Sequence, residues 1–164
     1  MPLGTAFGGP DYDQIVVDAG QATADAVAYL TQKIQEETHL RFQGDLRQLT
    51  AIITVGAEVG NQRAITIQFQ SGTGADINYR IAVLVLVLAD ANGDAFVATG
   101  GSTGIAVGTD GALLALVAKK AFIAISEADG DLDLTWTDTG VEAAYLGLLM
   151  PNGRLIISTA LTNS

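Results

Sequence analysis

From residue 49 onward the chain falls into short apolar runs separated by turn residues. The runs are 49–55 (LTAIITV), 64–69 (AITIQF), 80–89 (RIAVLVLVLA), 95–99 (AFVAT), 112–118 (ALLALVA), 121–126 (AFIAIS), 132–137 (LDLTWT), 144–150 (AYLGLLM) and 154–162 (RLIISTALT). Each is rich in β-branched or aliphatic residues and bounded by turn chemistry, so each predicts a strand. Two Asn-Gly pairs, Asn92-Gly93 and Asn152-Gly153, fall between apolar runs, and both residue types tolerate the positive φ of a two-residue hairpin turn. The stretches GTDG at 108–111 and ADGD at 128–131 mark further reversals. Close reversals without helical crossovers predict a mainly β fold, an antiparallel β-sandwich of jelly-roll or Ig-like type.

Upstream the texture differs. Residues 21–37 place Val27, Leu30 and Ile34 on one stripe, extended by Thr23 and Ala26, with Asp25, Lys33 and Glu36 elsewhere. That spacing predicts one short helix. Its stripe either packs on a sheet, which its length favours, or starts a short coiled coil. Residues 1–20 are rich in Gly, Pro and Asp, with isolated Phe7 and Tyr12, and read as an extended arm. The predicted organisation is therefore 1–45, an arm and helix for anchoring or oligomer contacts, and 46–164, a β-sandwich domain.

Strand phase makes a sharper point. Residues 131–137 alternate, with Leu132, Leu134 and Trp136 on one face and Asp131, Asp133, Thr135 and Thr137 on the other. Residues 64–69 alternate likewise. Residues 81–89 do not: Ile81, Val83, Val85 and Val87 lie on one face, and Ala82, Leu84, Leu86 and Leu88 on the other. The runs at 113–118 and 144–150 are also largely apolar on both faces. Leaving such side chains in water forgoes about 1.5–3 kcal/mol each, so the second faces require a cover. Either the helix supplies it or another chain does, and the helix is too short to cover three strands. This predicts a homo-oligomer or an assembly interface.

Composition narrows the partners. The formal net charge is −10, which leaves no basic field for a nucleic acid or an anionic membrane. Hydrophobic residues make up 49% and charged residues only 16%, a surplus of apolar surface for a monomer of 164 residues. The longest apolar run spans about half of what a bilayer-crossing helix requires. There is no cysteine, so disulfide and thiolate chemistry are excluded. The first twenty residues lack a positive region followed by an apolar core and do not read as a signal peptide.

Candidate chemistry is sparse. ISEADGDLDLTWTD, residues 125–138, carries Glu127, Asp129, Asp131 and Asp133, which could supply oxygen ligands to calcium. It lacks the twelve-residue spacing and distal Glu of an EF-hand, and Asp-Gly-Asp suits a solvated turn. DANGD, 90–94, is calcium-like in the same way and fits a hairpin better. His39, the single histidine, falls just past the predicted helix and helps end it. The Gly-x-Ser-x-Gly at 100–104 is followed by no helix and so reads as no nucleophile elbow. The glycine-rich 99–111 lacks a Gly-Lys-Ser/Thr ending and reads as a loop, not a phosphate cradle. Trp136 could serve with the tyrosines as a sugar platform, but its phase with Leu132 and Leu134 assigns it to the core. The expectation is a protein without enzymatic activity, cofactor or metal.

The C-terminal half carries a set of short elements: Gly108-Thr-Asp-Gly111, Lys120-Ala-Phe122, Ser126-Glu-Ala-Asp-Gly-Asp131, Tyr145-Leu146 and Pro151-Asn-Gly153 leading into a last strand. Over residues 79–162 this resembles a module of tailed-bacteriophage virion proteins, of head decoration or head-fibre type. It departs from that pattern at Trp136 and in its polar TNS ending. The resemblance implies a capsid decoration or head-fibre protein on the virion surface, bound to major capsid protein or other virion proteins and forming a homo-oligomer, with a trimer favoured. Its alternative is a tail-fibre or receptor-binding module for host surface glycans.

Overall fold

The computed structural model describes residues 12–164, with side chains described at 21, 23–40, 44 and from 47 onward. The chain divides into two compact units, Met1–Gln43 and Gly44–Ser164.

Among the described residues one helix, α1, runs over Tyr12–Gln48, well beyond the predicted 21–37 at both ends. It takes in part of the expected extended arm, with Tyr12 as its first residue, while Phe7 lies outside the described residues. The reason is the absence of a stop. No proline occurs between Pro10 and Pro151, and a nucleated helix gains one hydrogen bond for each residue it adds. His39 consequently sits within the helix instead of ending it. Val27, Leu30 and Ile34 on the apolar stripe are each more than half exposed. Local polar pairs hold the helix surface: Lys33 Nζ lies 2.9 Å from Glu36 Oε2 and 5.8 Å from the centre of the Tyr29 ring.

The second unit is a β-sandwich of two antiparallel sheets. Its strands are β1 (Thr50–Val55), β2 (Gln62–Gln70), β3 (Ala82–Leu88), β4 (Gly104–Val107), β5 (Ala112–Val117), β6 (Ala121–Ile125), β7 (Asp131–Thr137), β8 (Tyr145–Leu149) and β9 (Leu155–Ala160). One sheet has the order β1-β2-β7-β4 and the other β5-β6-β3-β8-β9. Eight of these strands match predicted runs within a few residues.

The ninth does not. β4 lies inside the glycine-rich 99–111, which the sequence pattern reads as a loop, because only Ile105, Ala106 and Val107 carry apolar signal there. Conversely, 95–99 is no strand, and only a bridge joins Leu88 to Phe96. β6 and β8 already flank β3 on its two edges, and β6 stops at the Leu86–Ala121 pair. Residues 95–97 are left with the end of β3, through Ala89 N to Ala95 O and Val97 N to Val87 O.

The Asn-Gly turns also differ in type. In each, only the glycine has positive φ, 82° at Gly93 and 81° at Gly153. Gly153 N donates to Met150 O and Met150 N to Arg154 O, which is a tight turn closed by a one-residue bulge instead of a two-residue loop.

The core lies between the sheets. Ile65, Ile67 and Phe69 of β2 and Leu132, Leu134 and Trp136 of β7 meet Val83, Val85, Phe122, Leu146 and Leu148 from the other sheet, all buried. The predicted phase of β7 is therefore the observed one. Each such side chain contributes about 1.5–3 kcal/mol by leaving water.

Candidate functional site

The three runs that are apolar on both faces, around 81–89, 113–118 and 144–150, become β3, β5 and β8 of one sheet. With β6 and β9 they build an outer face whose register is continuous. Leu114 pairs with Ile123, Ile123 with Leu84, Leu84 with Leu149, and Leu149 with Leu155, so one aliphatic row crosses all five strands. A second row runs Ala112, Ile125, Ala82. A third runs Val117, Ala121, Leu86, Gly147, Ile157. None of these positions bears a charge. The turn at 90–94 lies over the β3–β9 end, where Leu88, Leu155 and Ile157 approach Gly93. The β5–β6 end stays open, with Leu114, Leu116 and Val117 each more than half exposed.

The other sheet faces outward with opposite chemistry. Its rows run Thr54, Thr66, Asp133, then Ile52, Gln68, Asp131, then Ala64, Thr135, Ala106. Polar and acidic groups dominate there, as strand alternation predicts for a solvated face. The sandwich thus presents one conventional surface and one whose rows are aliphatic and uncharged.

The acidic stretch at 125–138 is the corner where the chain leaves β6 for β7 in the other sheet. Gly130 N donates to Glu127 O at 3.1 Å and Glu127 N to Asp131 O at 2.8 Å, the same turn-and-bulge geometry as at Gly153. Its carboxylates have separate tasks. Glu127 pairs with Arg80 at 2.6 Å, and Asp129 Oδ1 accepts from Asp131 N at 3.3 Å. Asp131 is half-buried and its Oδ1 has no hydrogen-bond partner. Burial first, then Asp133, Asp110 and Asp129, push its pKa up. At 90–94, Asp90 Oδ1 accepts from the backbone N of Asn92, Gly93 and Asp94, an acceptor spent on closing its own turn. Among the described residues no group of three or more His, Cys, Asp or Glu side chains is placed to hold a metal.

Two carboxylates that strand patterns do not single out organise the glycine-rich loop. Glu142 accepts from Thr99 N at 2.8 Å, Thr99 Oγ1 at 2.6 Å, Gly100 N at 3.0 Å and Gly101 N at 2.9 Å. Burial alone would raise its pKa, and these donors outweigh burial and bring it down to about 2. Asp138, buried, accepts from the N–H groups of Ser102, Gly140 and Glu142. Lys119 Nζ donates to Gly101 O and Ser102 O from the other side. The cradle-like nest of backbone amides is thus filled by the protein's own carboxylate. Asp138-Thr-Gly140 carries a readable turn signal, whereas the partners of Glu142 are some forty residues away and leave none.

The remaining candidates fall to structural roles. Trp136 is fully buried. His39 is exposed on the helix beside Ile34, Gln35 and Thr38. Tyr29 is exposed on the helix and Tyr79 packs against the core. The polar ending is pinned, with Asn163 buried and its Nδ2 donating to Asn61 O at 2.8 Å and Asp138 O at 2.7 Å. No helix among the described residues is long and apolar enough to cross a membrane.

Comparison of the chain with family models, curated proteins and solved structures gives no match.

Proposed function

We propose that the chain is a non-enzymatic assembly protein, and within that class a virion structural protein of a tailed bacteriophage: a capsid decoration or head-fibre protein, homo-oligomeric with a trimer favoured, on the virion surface. Its partners are the major capsid protein or other virion proteins, engaged by shape and apolar burial.

The observation that supports assembly is the uncharged aliphatic face of the five-stranded sheet, in a chain of net charge −10. A covered face recovers the free energy that an open one forgoes. The open helix stripe of Val27, Leu30 and Ile34 offers a second apolar contact. The virion assignment draws on the resemblance over residues 79–162. Burial of Trp136 removes the residue best suited to a sugar platform and favours decoration over the glycan-binding alternative.

Copy number in purified particles, by quantitative mass spectrometry, tests this reading. Decoration predicts hundreds of copies per particle. A few or tens would support the tail-fibre alternative, and absence from the particle would overturn both.

A further inference from the structure

We propose that the outer face of the five-stranded sheet, at its β5–β6 end, is covered by the same face of a second copy of this chain. This deepens the reading as an assembly protein and rests on it, by naming the occupant of the face; a same-face contact is two-fold, so it joins copies, or trimers, two by two.

Area is the first support. Leu114, Leu116, Val117, Ile123 and Ile125 are between 36% and 63% exposed, and Leu149 and Leu155 continue the patch at 38% and 41%. Such side chains leave on the order of 600 Å² of apolar surface per copy, approaching the roughly 800 Å² per partner of a stable interface. The patch stands at the upper end of the about 300–600 Å² that the largest patch of a soluble monomer spans, where such patches are often functional.

Charge is the second. Two copies at −10 each repel, and they approach at least cost where no carboxylate is carried into the seam. The aliphatic rows hold none, whereas the opposite sheet would set Asp131 and Asp133 against their images. A neutral face on a strongly acidic chain therefore suits a partner that is equally acidic.

The third support separates face from edge. β5 is an open edge of the sheet, but its register shifts between Ala115 and Val117. Such a bulge blunts strand addition. The contact is thus sheet on sheet, with the two layers about 10 Å apart.

The test is sedimentation velocity of the full chain at micromolar concentration. It compares the wild type with the double variant Leu114→Glu/Ile123→Glu, with Ile52→Glu on the other sheet, and with Leu30→Glu/Ile34→Glu on the helix. The expected result is a multimeric wild type, a sheet-face variant at half its mass, and Ile52→Glu unchanged. A monomeric wild type overturns the proposal, and so does dissociation in the helix variant alone.

Should the double variant fail to fold, a milder probe remains. The chain has no cysteine, so Ile123→Cys and Ile52→Cys each carry one spin label. Close inter-copy coupling only at position 123 supports the contact; coupling only at 52, or at neither, overturns it. Neither experiment reads virion copy number, so the two readings fail separately.

Discussion

Leu114 and Ile123 stand opposite each other across the β5–β6 ladder, on the outer face of the five-stranded sheet, and both are open to solvent, at 63% and 36%. Pairing of aliphatic side chains across adjacent strands ordinarily marks a core. Here the pair lies on the far side of the sheet from the core, in a row that crosses every strand. The sheet is therefore aliphatic on both sides.

That position predicts unequal costs of truncation. Leu148→Ala, in the core and fully buried, should lower unfolding free energy by about 2–5 kcal/mol. Leu114→Ala should stay within about 0.5 kcal/mol when the chain is dilute. Urea unfolding at nanomolar and micromolar concentration checks both, and the cost of Leu114→Ala should grow with concentration.

Glu142 gives the acid limb of stability. Its folded pKa of about 2 lies below its ordinary 4.5, so its contribution is complete above that ordinary value and is lost as pH falls through the folded one. Glu142→Gln should lower stability at neutral pH by about 1–3 kcal/mol. The gap from the wild type should close between pH 4.5 and about 2 in denaturant midpoints measured across that range.

Asp131 has the opposite sign. Its folded pKa is raised, so ionisation opposes folding at neutral pH, and the penalty lifts as pH falls through the raised value. Asp131→Asn should therefore stabilise at pH 7 and give no advantage near pH 3, read from denaturant midpoints at the two pH values. With Glu127 held by Arg80, millimolar calcium should leave the wild-type melting temperature unchanged.

Two glycines separate backbone strain from crowding. Gly153 has φ of 81° and open space where a Cβ would stand, so Gly153→Ala should cost only the left-handed penalty of about 1–2 kcal/mol. At Gly111, φ is 100°, and a Cβ would meet Ile125 O at 2.8 Å as well as the Leu132 side chain. Gly111→Ala should be the costlier change in thermal melts, by at least about 1 kcal/mol more.

Much of this arrangement is legible in the sequence, because side-chain phase is local. The alternation of Leu132, Leu134 and Trp136 with Asp131 and Asp133 places β7 correctly, and the failure of alternation at 81–89 marks β3 as two-sided. What was not legible depends on neighbours distant in the chain. β4 exists because β7 offers an edge to Ile105 and Val107, and 95–99 fails to form a strand because β6 holds the edge it would need. Likewise, a carboxylate such as Glu142 shows its partners only once the loop at 99–101 has folded onto it. The helix extends past its apolar stripe because nothing in its sequence stops it, and periodicity reports the stripe, not the length.

The most direct test of a covered sheet face is hydroxyl-radical footprinting of the full chain at micromolar concentration and after dilution. Leu114, Ile123 and Ile125 should be protected at the higher concentration and become modified on dilution, while Ile52 on the other sheet stays modified throughout. Equal modification of Leu114 and Ile52 at every concentration would contradict the account.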